Sequence, residues 1–176
     1  MKNILLFLTV LLLVGAMVLW FRHGGGAPYP NLSTTPVLPS TSLEEVLTYP
    51  EPVGNVAVNR EGRLFFTIHP ESRPTGNKLL EYVRGAAVPY PSGAAQSELF
   101  DTVLGVVIDR FNRLWTIDHG NHGLRTARIV AIDLDTNTVL RDQKLSPDIA
   151  PAGSFLQDLQ VSADGNTIVI ADASFW

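Results

Sequence analysis

From residue 53 onward, the chain repeats one pattern of apolar and polar positions three times. In each copy a short apolar segment leads into a polar turn, and a second apolar segment follows. The turns are marked by Gly62, Asn112 and Gly165, so the copies are separated by 50 residues (62 to 112) and 53 residues (112 to 165). Glycine and asparagine both tolerate the positive φ that such turns require. A repeat of strands and turns at about 50 residues predicts β-propeller blades.

Each copy is predicted to open with two antiparallel strands, and two of the copies continue with a third and a fourth. The predicted strands are 56–58, 64–68, 79–83 and 87–90 in the first copy, 106–108, 114–117, 128–134 and 138–142 in the second, and 159–161 and 168–171 in the third. The expected fold class is therefore all-β. The expected domain is a partial β-propeller over 44–176, with blades at about 53–92, 103–145 and 156–176. Because two and a half blades cannot close a ring, we expect either a fragment of a longer chain or assembly with another copy.

An apolar segment near the N-terminus is predicted to be a membrane helix. Residues 4–21 contain one polar residue, Thr9, and are flanked by Lys2 and Arg22. At about 1.5 Å per residue this segment reaches roughly 27 Å as a helix, close to the hydrocarbon thickness of a bilayer. A cleaved signal peptide is the alternative, although its apolar core is usually shorter and ends at small residues. We favour an uncleaved signal anchor over 1–23, which gives a membrane contact through residues 4–21.

The next segment is predicted to be a linker. Residues 24–43 are rich in glycine, proline, serine and threonine and have no periodic apolar positions. This composition is typical of a flexible or extended spacer between a membrane and a domain. The short segment 43–47 that follows fits either one helical turn or an entry strand.

Charge and cysteine content exclude some classes of function. The chain has 13 basic and 17 acidic side chains and a formal net charge of −4. Because it has no basic field to attract phosphates, we expect no nucleic-acid partner. It contains no cysteine, which excludes disulfides, thiolate chemistry and cysteine-based zinc sites.

Several motifs, in their order along the chain, resemble the major royal jelly protein/yellow family. They are P-Y-P-S at 89–92, R-L-W-T-I-D-H-G at 113–120, R-I-V-A-I-D-L-D-T at 128–136, and F-L-Q-D at 155–158 followed by I-A-D at 170–172. The resemblance covers about 44–176 and implies a six-bladed propeller of which this chain holds roughly the first half. It also implies an exported or surface protein. It does not imply one chemistry, because the family includes storage proteins, small-molecule binders and proteins tied to melanin formation, some with dopachrome-converting activity.

Polar residues at the starts of the first strands are the candidate ligand-binding residues. Propellers bind ligands at a central channel lined by the innermost strands, and Asn55, Gln157 and Asp158 occupy this position. Gluconolactonase-like propellers, which are related, build a divalent-cation site from Glu, Asn and Asp at such places. Here Asn55 and Gln157 depart from that pattern, and a calcium-like cation needs several oxygens including carboxylates. No cofactor is therefore predicted, and Asp158 is only a secondary metal candidate.

Two histidines after the second blade's second strand are the other secondary metal candidates. His119 and His122 are spaced H-x-x-H, and His69 lies at the matching strand end of the first blade. A glycine-rich loop does not fix ligand geometry as a helix does, so these histidines are expected to be surface loop residues. Asp118 and Asp172 end two second strands. They are expected to accept backbone N–H bonds in turns rather than to act in catalysis.

Two functions are weighed against each other, and a third, dopachrome-type isomerisation, is set below them because no residue in the chain requires it. The first is an extracytoplasmic royal jelly/yellow-like propeller, secreted or membrane-anchored, that binds a small molecule in its central channel and has no assigned catalytic residue. The alternative is a gluconolactonase-like hydrolase of lactones or esters, in which a divalent cation polarises the carbonyl and activates water. We favour the first because the candidate metal positions depart from the hydrolase pattern. Whether the protein is an enzyme stays open.

Overall fold

The computed structural model describes residues 2–24, 30, 34 and 38–174. Contacts divide the chain into two compact units, Met1–Glu44 and Glu45–Trp176. In the first unit, helix α1 covers Lys2–His23, and its side chains are exposed. Within the described ranges, α1 is the one helix whose length and apolar composition suffice to cross a membrane. This apolar helix is compatible with the signal or anchor segment that the sequence predicts.

Just before the first blade, residues 43–47 differ from the structures predicted for them. Most of the predicted linker lies outside the described residues, and a 3₁₀ helix covers Ser40–Ser42. Residues 43–49 form neither a helix nor a strand, so both structures predicted for 43–47 are wrong. The reason is tertiary packing. Leu47 and Tyr49 lie on the first blade, and the Tyr49 ring centroid is 5.3 Å from that of Phe66.

The described part of the second unit contains ten strands in three antiparallel sheets. The first blade is β1 (Val53–Val58), β2 (Leu64–Ile68), β3 (Leu79–Val83) and β4 (Ala86–Pro89). The second is β5 (Val103–Ile108), β6 (Arg113–Asp118), β7 (Arg128–Asp133) and β8 (Thr138–Lys144), and the third has β9 (Leu156–Val161) and β10 (Ile168–Asp172). A 3₁₀ helix (Pro70–Ser72) follows β2, and α2 (Ala95–Glu98) lies between the first two blades. Strands pair in sequence order within each sheet, which confirms the all-β fold and the partial propeller.

The turns between the first two strands of each blade have the backbone conformation that the repeat predicts. Gly62, Asn112 and Gly165 have φ values of 81°, 56° and 75°. This left-handed region favours glycine and tolerates asparagine. Gly62, Asn112 and Gly165 therefore occupy equivalent positions in the three turns.

Each inner strand begins three residues before its predicted start, at Val53, Val103 and Leu156. A bulge interrupts the pairing of all three inner strands with their second strands, close to these starts. A bulge leaves one residue unpaired, so the regular alternation of side chains breaks there. The apolar pattern consequently marks only the part of each strand after the bulge.

Apolar side chains fill the space between neighbouring blades. Phe65 of the first blade packs with Val106 and Val130 of the second in one buried cluster. A second cluster holds Trp115 of the second blade and Leu159 of the third. Each such side chain contributes about 1.5–3 kcal/mol when it is fully buried. The contacts of β1 with β5 and of β5 with β9 place the three inner strands side by side.

Arg63 adds a polar connection between the first two blades. Its guanidinium donates to both carboxylate oxygens of Glu81, at 2.7 Å and 3.0 Å, within its own blade. It also donates to the Leu134 carbonyl and to Oδ1 of Asn137, which lie in the second blade. A planar guanidinium suits such a multiple contact because it carries five N–H donors in a fixed geometry.

Candidate functional site

The candidate site lies where the inner strands begin. Antiparallel pairing places the start of each inner strand beside the end of the second strand of its blade. The loops after β2 and β6 and the segments before β5 and β9 meet at this edge. We refer to it as the inner-strand rim. It contains the residues selected from the sequence, which are Asn55, His69, His119, His122, Gln157 and Asp158.

Asn55 lies in the bulge of β1. Its backbone N–H donates to Oγ1 of Thr67 at 3.0 Å, and the Thr67 hydroxyl donates to the Leu104 carbonyl in the next blade at 2.7 Å. The side-chain Oδ1 of Asn55 accepts from the N–H of Val56 at 2.9 Å. Its Nδ2 has no partner among the described residues, and the residue is half-buried. The structure therefore holds this amide by its oxygen and leaves its N–H donors available.

Asp158 occupies in β9 the position that Asn55 occupies in β1, three residues before the strand ends. Its Oδ1 accepts from the N–H of Leu159 at 2.9 Å, so both side chains bond to the residue that follows them. Asp158 is exposed, and no described residue donates to its Oδ2. Gln157 is half-buried and is the unpaired bulge residue of β9. Asn55 thus has available N–H donors on Nδ2, and Asp158 has an available acceptor, Oδ2.

The middle blade has Gly105 at the same position. A Cβ built on it would lie 2.5 Å from the carbonyl oxygen of Gln157 and 2.8 Å from Cγ2 of Ile117. Because there is no side chain here, β5 approaches β9 closely. At this level the rim offers side chains from the first and third blades and only backbone from the second.

His119 is buried, with 1% of its surface exposed, so the prediction of a surface loop residue is wrong for it. The loop folds back after β6, and Nδ1 of His119 accepts from the N–H of His122 at 2.9 Å. The ring also packs against Phe155 in a T-shaped arrangement, with ring centroids 5.1 Å apart. Phe155 comes from the segment before β9, so the burial of His119 depends on the third blade.

The protonation state of His119 follows from its surroundings. Burial lowers its pKa and outweighs the charge of Asp118, which acts to raise it. Glu71 also acts to raise the pKa, whereas His122 and His69 act to lower it. A neutral ring whose Nδ1 accepts a hydrogen bond carries its proton on Nε2. That buried Nε2 has no hydrogen-bond partner in the described part of the chain.

His122 joins two loops of the rim. Its Nε2 lies 2.8 Å from Oε1 of Glu71 in the 3₁₀ helix after β2, and its ring centroid lies 4.5 Å from that of Phe155. His69 Nδ1 accepts from the N–H of Glu71 at 3.3 Å. Neither Glu71 nor Phe155 was predicted from the sequence to belong to this site. Phe155 lies within one of the family-like motifs, which could have identified it. No sequence pattern marks Glu71, because its role depends on a contact with His122 in the next blade.

Asp118 and Asp172 anchor the chain immediately before two inner strands. Asp118 accepts from the N–H of Asp101 at 2.6 Å and from the N–H of Thr102 at 3.0 Å and 2.9 Å. Asp172 accepts from the N–H of Phe155 at 2.8 Å. The backbone-binding role predicted for these two carboxylates is confirmed.

The described residues contain no group of three His, Cys, Asp or Glu side chains placed to hold a metal ion. The structure brings His119 and His122 together, with ring centroids 5.0 Å apart, but neither shares a hydrogen bond with Asp158. Nδ1 of His119 and Nε2 of His122 already contact protein groups. In these ranges the rim offers a hydrogen-bond donor on Asn55 and an acceptor on Asp158, beside the half-buried side chain of Gln157 and the buried, unpartnered Nε2 of His119.

Comparison with known proteins agrees with the blade repeat. A search of curated proteins finds no match to the chain. The sequence model of the major royal jelly protein family matches residues 101–174. This range holds all four strands of the second blade and both described strands of the third. The resemblance of the chain to the major royal jelly protein family is therefore confirmed over residues 101–174.

Proposed function

We propose that the chain forms part of an extracytoplasmic β-propeller that binds a small molecule at the inner-strand rim, where the central channel opens. One observation carries this proposal. Asn55 Nδ2 and Asp158 Oδ2 lie at equivalent positions of two blades, and within the described ranges neither has a partner. Polar atoms that the fold leaves available beside a channel are suited to orient a ligand.

Both side chains are oriented before a ligand arrives. In each case Oδ1 accepts from the backbone N–H of the following residue, at 2.9 Å for Asn55 and 2.9 Å for Asp158. Immobilising a side chain on binding costs about 0.5–1.5 kcal/mol. Since part of this ordering exists in the free protein, the ligand has less of it to supply.

The pair also indicates the chemistry of the ligand. Asn55 Nδ2 donates, so the ligand needs an acceptor such as a carbonyl or hydroxyl oxygen. Asp158 accepts, so the ligand also needs a hydroxyl, an amine or another donor. The exposed carboxylate repels anions. We therefore expect neutral or positively charged molecules with both kinds of group to bind ahead of carboxylic acids.

The proposed compartment is supported by α1, whose apolar side chains are exposed along its length. We propose that α1 is a signal or an anchor that brings the blades outside the cytoplasm. Protease added to intact cells that express the full chain should then cleave the blades. Cleavage that occurs only after lysis would contradict this location.

Binding is tested by the thermal stability of the full chain in detergent, with and without each member of a panel of amines and polyols. A true ligand should raise the Tm of the unchanged protein and lose most of that effect in Asn55→Ala and in Asp158→Asn. Asp148→Asn removes a different exposed carboxylate and is the matched control. An equal shift in all four proteins would mean binding elsewhere. Lactone hydrolysis abolished by a chelator would support the metal-dependent hydrolase instead.

A further inference from the structure

A second polar cleft lies at the opposite edge of the blades, between the inner-strand turns of the first two. It encloses about 300 Å³. Its polar lining comes from the two turns, Asn59, Arg60 and Glu61 in the first and Asp109, Arg110 and Asn112 in the second. Asn59 and Arg60 occupy the positions that Asp109 and Arg110 occupy one repeat later. No residue of the inner-strand rim belongs to it.

The two asparagines form a fixed connection between the blades. Nδ2 of Asn59 donates to Oδ1 of Asn112 at 3.1 Å, and Nδ2 of Asn112 donates to Oδ1 of Asp135 at 2.7 Å. Asn59 is buried, with 8% of its surface exposed. These amides are therefore committed to the fold rather than available to a ligand.

Asp109 is likewise held by hydrogen bonds within the fold. Its Oδ2 accepts from Nε of Arg113 at 2.6 Å and from Nε1 of Trp115 at 2.8 Å. Burial acts to raise the pKa of Asp109, but these hydrogen bonds outweigh it and leave the pKa below its ordinary value. The carboxylate side chain is 1% exposed. Its negative charge is thus balanced by Arg113 and does not neutralise the other cations at the cleft.

Arg60 and Arg110 differ from their neighbours because neither has a hydrogen-bond or carboxylate partner in the described ranges. Both are exposed and follow directly after the residues that cap the turns. The Arg110 guanidinium carbon lies 5.0 Å from the centroid of the Phe111 ring. Stacking on an aromatic face leaves the in-plane N–H donors of a guanidinium available.

We propose that this cleft binds a small anion carrying a phosphate or carboxylate group, between the guanidinium groups of Arg60 and Arg110. Both guanidinium groups are positively charged and line the same cleft, so both attract an anion. Guanidinium groups match the oxygen geometry of phosphate and carboxylate. The cleft would then be a second site, independent of ligand binding at the inner-strand rim.

Glu61 makes the proposal more specific. It lines the same cleft, and no described residue pairs with its carboxylate. An anion would be repelled by Glu61, so removing this charge should strengthen binding. A cation site would show the opposite behaviour, with Glu61 needed for binding and the arginines opposing it.

Isothermal titration of the full chain in detergent at low ionic strength tests the site, with inorganic phosphate in one arm and succinate in the other. We expect saturable binding in at least one arm, which identifies the preferred group. Arg60→Gln and Arg110→Gln should each weaken it by about tenfold, as expected for a lost charge-assisted hydrogen bond. Glu61→Gln should strengthen it. Arg84→Gln removes an exposed arginine that does not line the cleft and should change nothing.

The proposal is overturned if neither anion binds saturably to the unchanged protein, because two unpaired arginines would then not form a site. It is also overturned if Arg60→Gln and Arg110→Gln bind as well as the unchanged protein, or if Arg84→Gln weakens binding as much as they do. The substituted residues are exposed, so circular dichroism spectra should be the same for all variants. None of these outcomes depends on the ligand of the inner-strand rim.

Discussion

Nε2 of His122 lies 2.8 Å from Oε1 of Glu71, and the contact joins the loop after β2 to the loop after β6. The two residues are 51 positions apart, which is about one blade repeat. Their side chains are 40% and 53% exposed. Because both side chains are this exposed to water, the pair contributes little to the stability of the fold. Its main effect is to position the two loops of the rim.

Removing this pair should therefore cost little stability. Exposed ion pairs contribute about 0–1 kcal/mol in double-mutant cycles. We expect a coupling free energy below about 1 kcal/mol between Glu71→Gln and His122→Asn, measured by urea unfolding of the two single variants and the double variant. A coupling of several kcal/mol would show that the contact is a main support of the fold.

Stability should fall as the pH is lowered through the ordinary histidine range, because of His119. In the folded state the pKa of His119 lies below its ordinary value of 6.5. The unfolded state therefore binds a proton on this residue more readily than the folded state does. The contribution of His119 to stability is complete at pH values above its pKa in the unfolded state, and it is lost as the pH falls towards its pKa in the folded state. His119→Asn keeps an acceptor for the His122 N–H and removes this titration. Denaturant unfolding between pH 7 and pH 5 should show a smaller loss in the variant, and parallel curves would contradict the assignment.

Gly105 should not tolerate a side chain. In Gly105→Ala the new Cβ would lie 2.5 Å from the backbone oxygen of Gln157, which cannot rotate away, so β5 and β9 must separate. Overpacking of this kind costs about 1–3 kcal/mol. Gly93→Ala is the matched control, because nothing lies within 4 Å of its Cβ position. Equal unfolding midpoints for the two variants would contradict the close approach of the second and third blades.

Two buried threonines of the second strands should respond differently to the same substitution. Thr67 Oγ1 accepts from the N–H of Asn55 and donates to the Leu104 carbonyl, so Thr67→Val leaves two groups without partners. Each buried unsatisfied group costs about 1–3 kcal/mol. Oγ1 of Thr116 has no partner among the described residues, so Thr116→Val should be neutral or stabilising. Thermal unfolding of both variants measures the difference, and a larger loss in Thr116→Val would contradict these contacts.

The parts of the fold that depend on local sequence were predictable. The turns at Gly62 and Asn112 follow from residue type, because only a few residues accept positive φ. The strands after the bulges follow from apolar runs. The first residues of the inner strands were missed because a bulge breaks the alternation on which the prediction rests.

The parts of the site that depend on neighbouring blades were not predictable. The sequence selects Asn55 and Asp158 through their places in the repeat, but it does not show which of their atoms remain available. His119 was expected at the surface because its loop is rich in glycine. Its burial requires Phe155, which lies 36 positions further along the chain (119 to 155), and the contact of His122 with Glu71 likewise crosses between blades.

Ligand binding at the inner-strand rim is tested by a native mass spectrum of the full chain purified from the cells that express it. We expect a small molecule to be bound to the unchanged protein and lost from a variant carrying Asn55→Ala and Asp158→Asn. The control variant Asp148→Asn should keep the molecule. A bound molecule that is retained by the double variant would place the ligand elsewhere and contradict binding at the inner-strand rim.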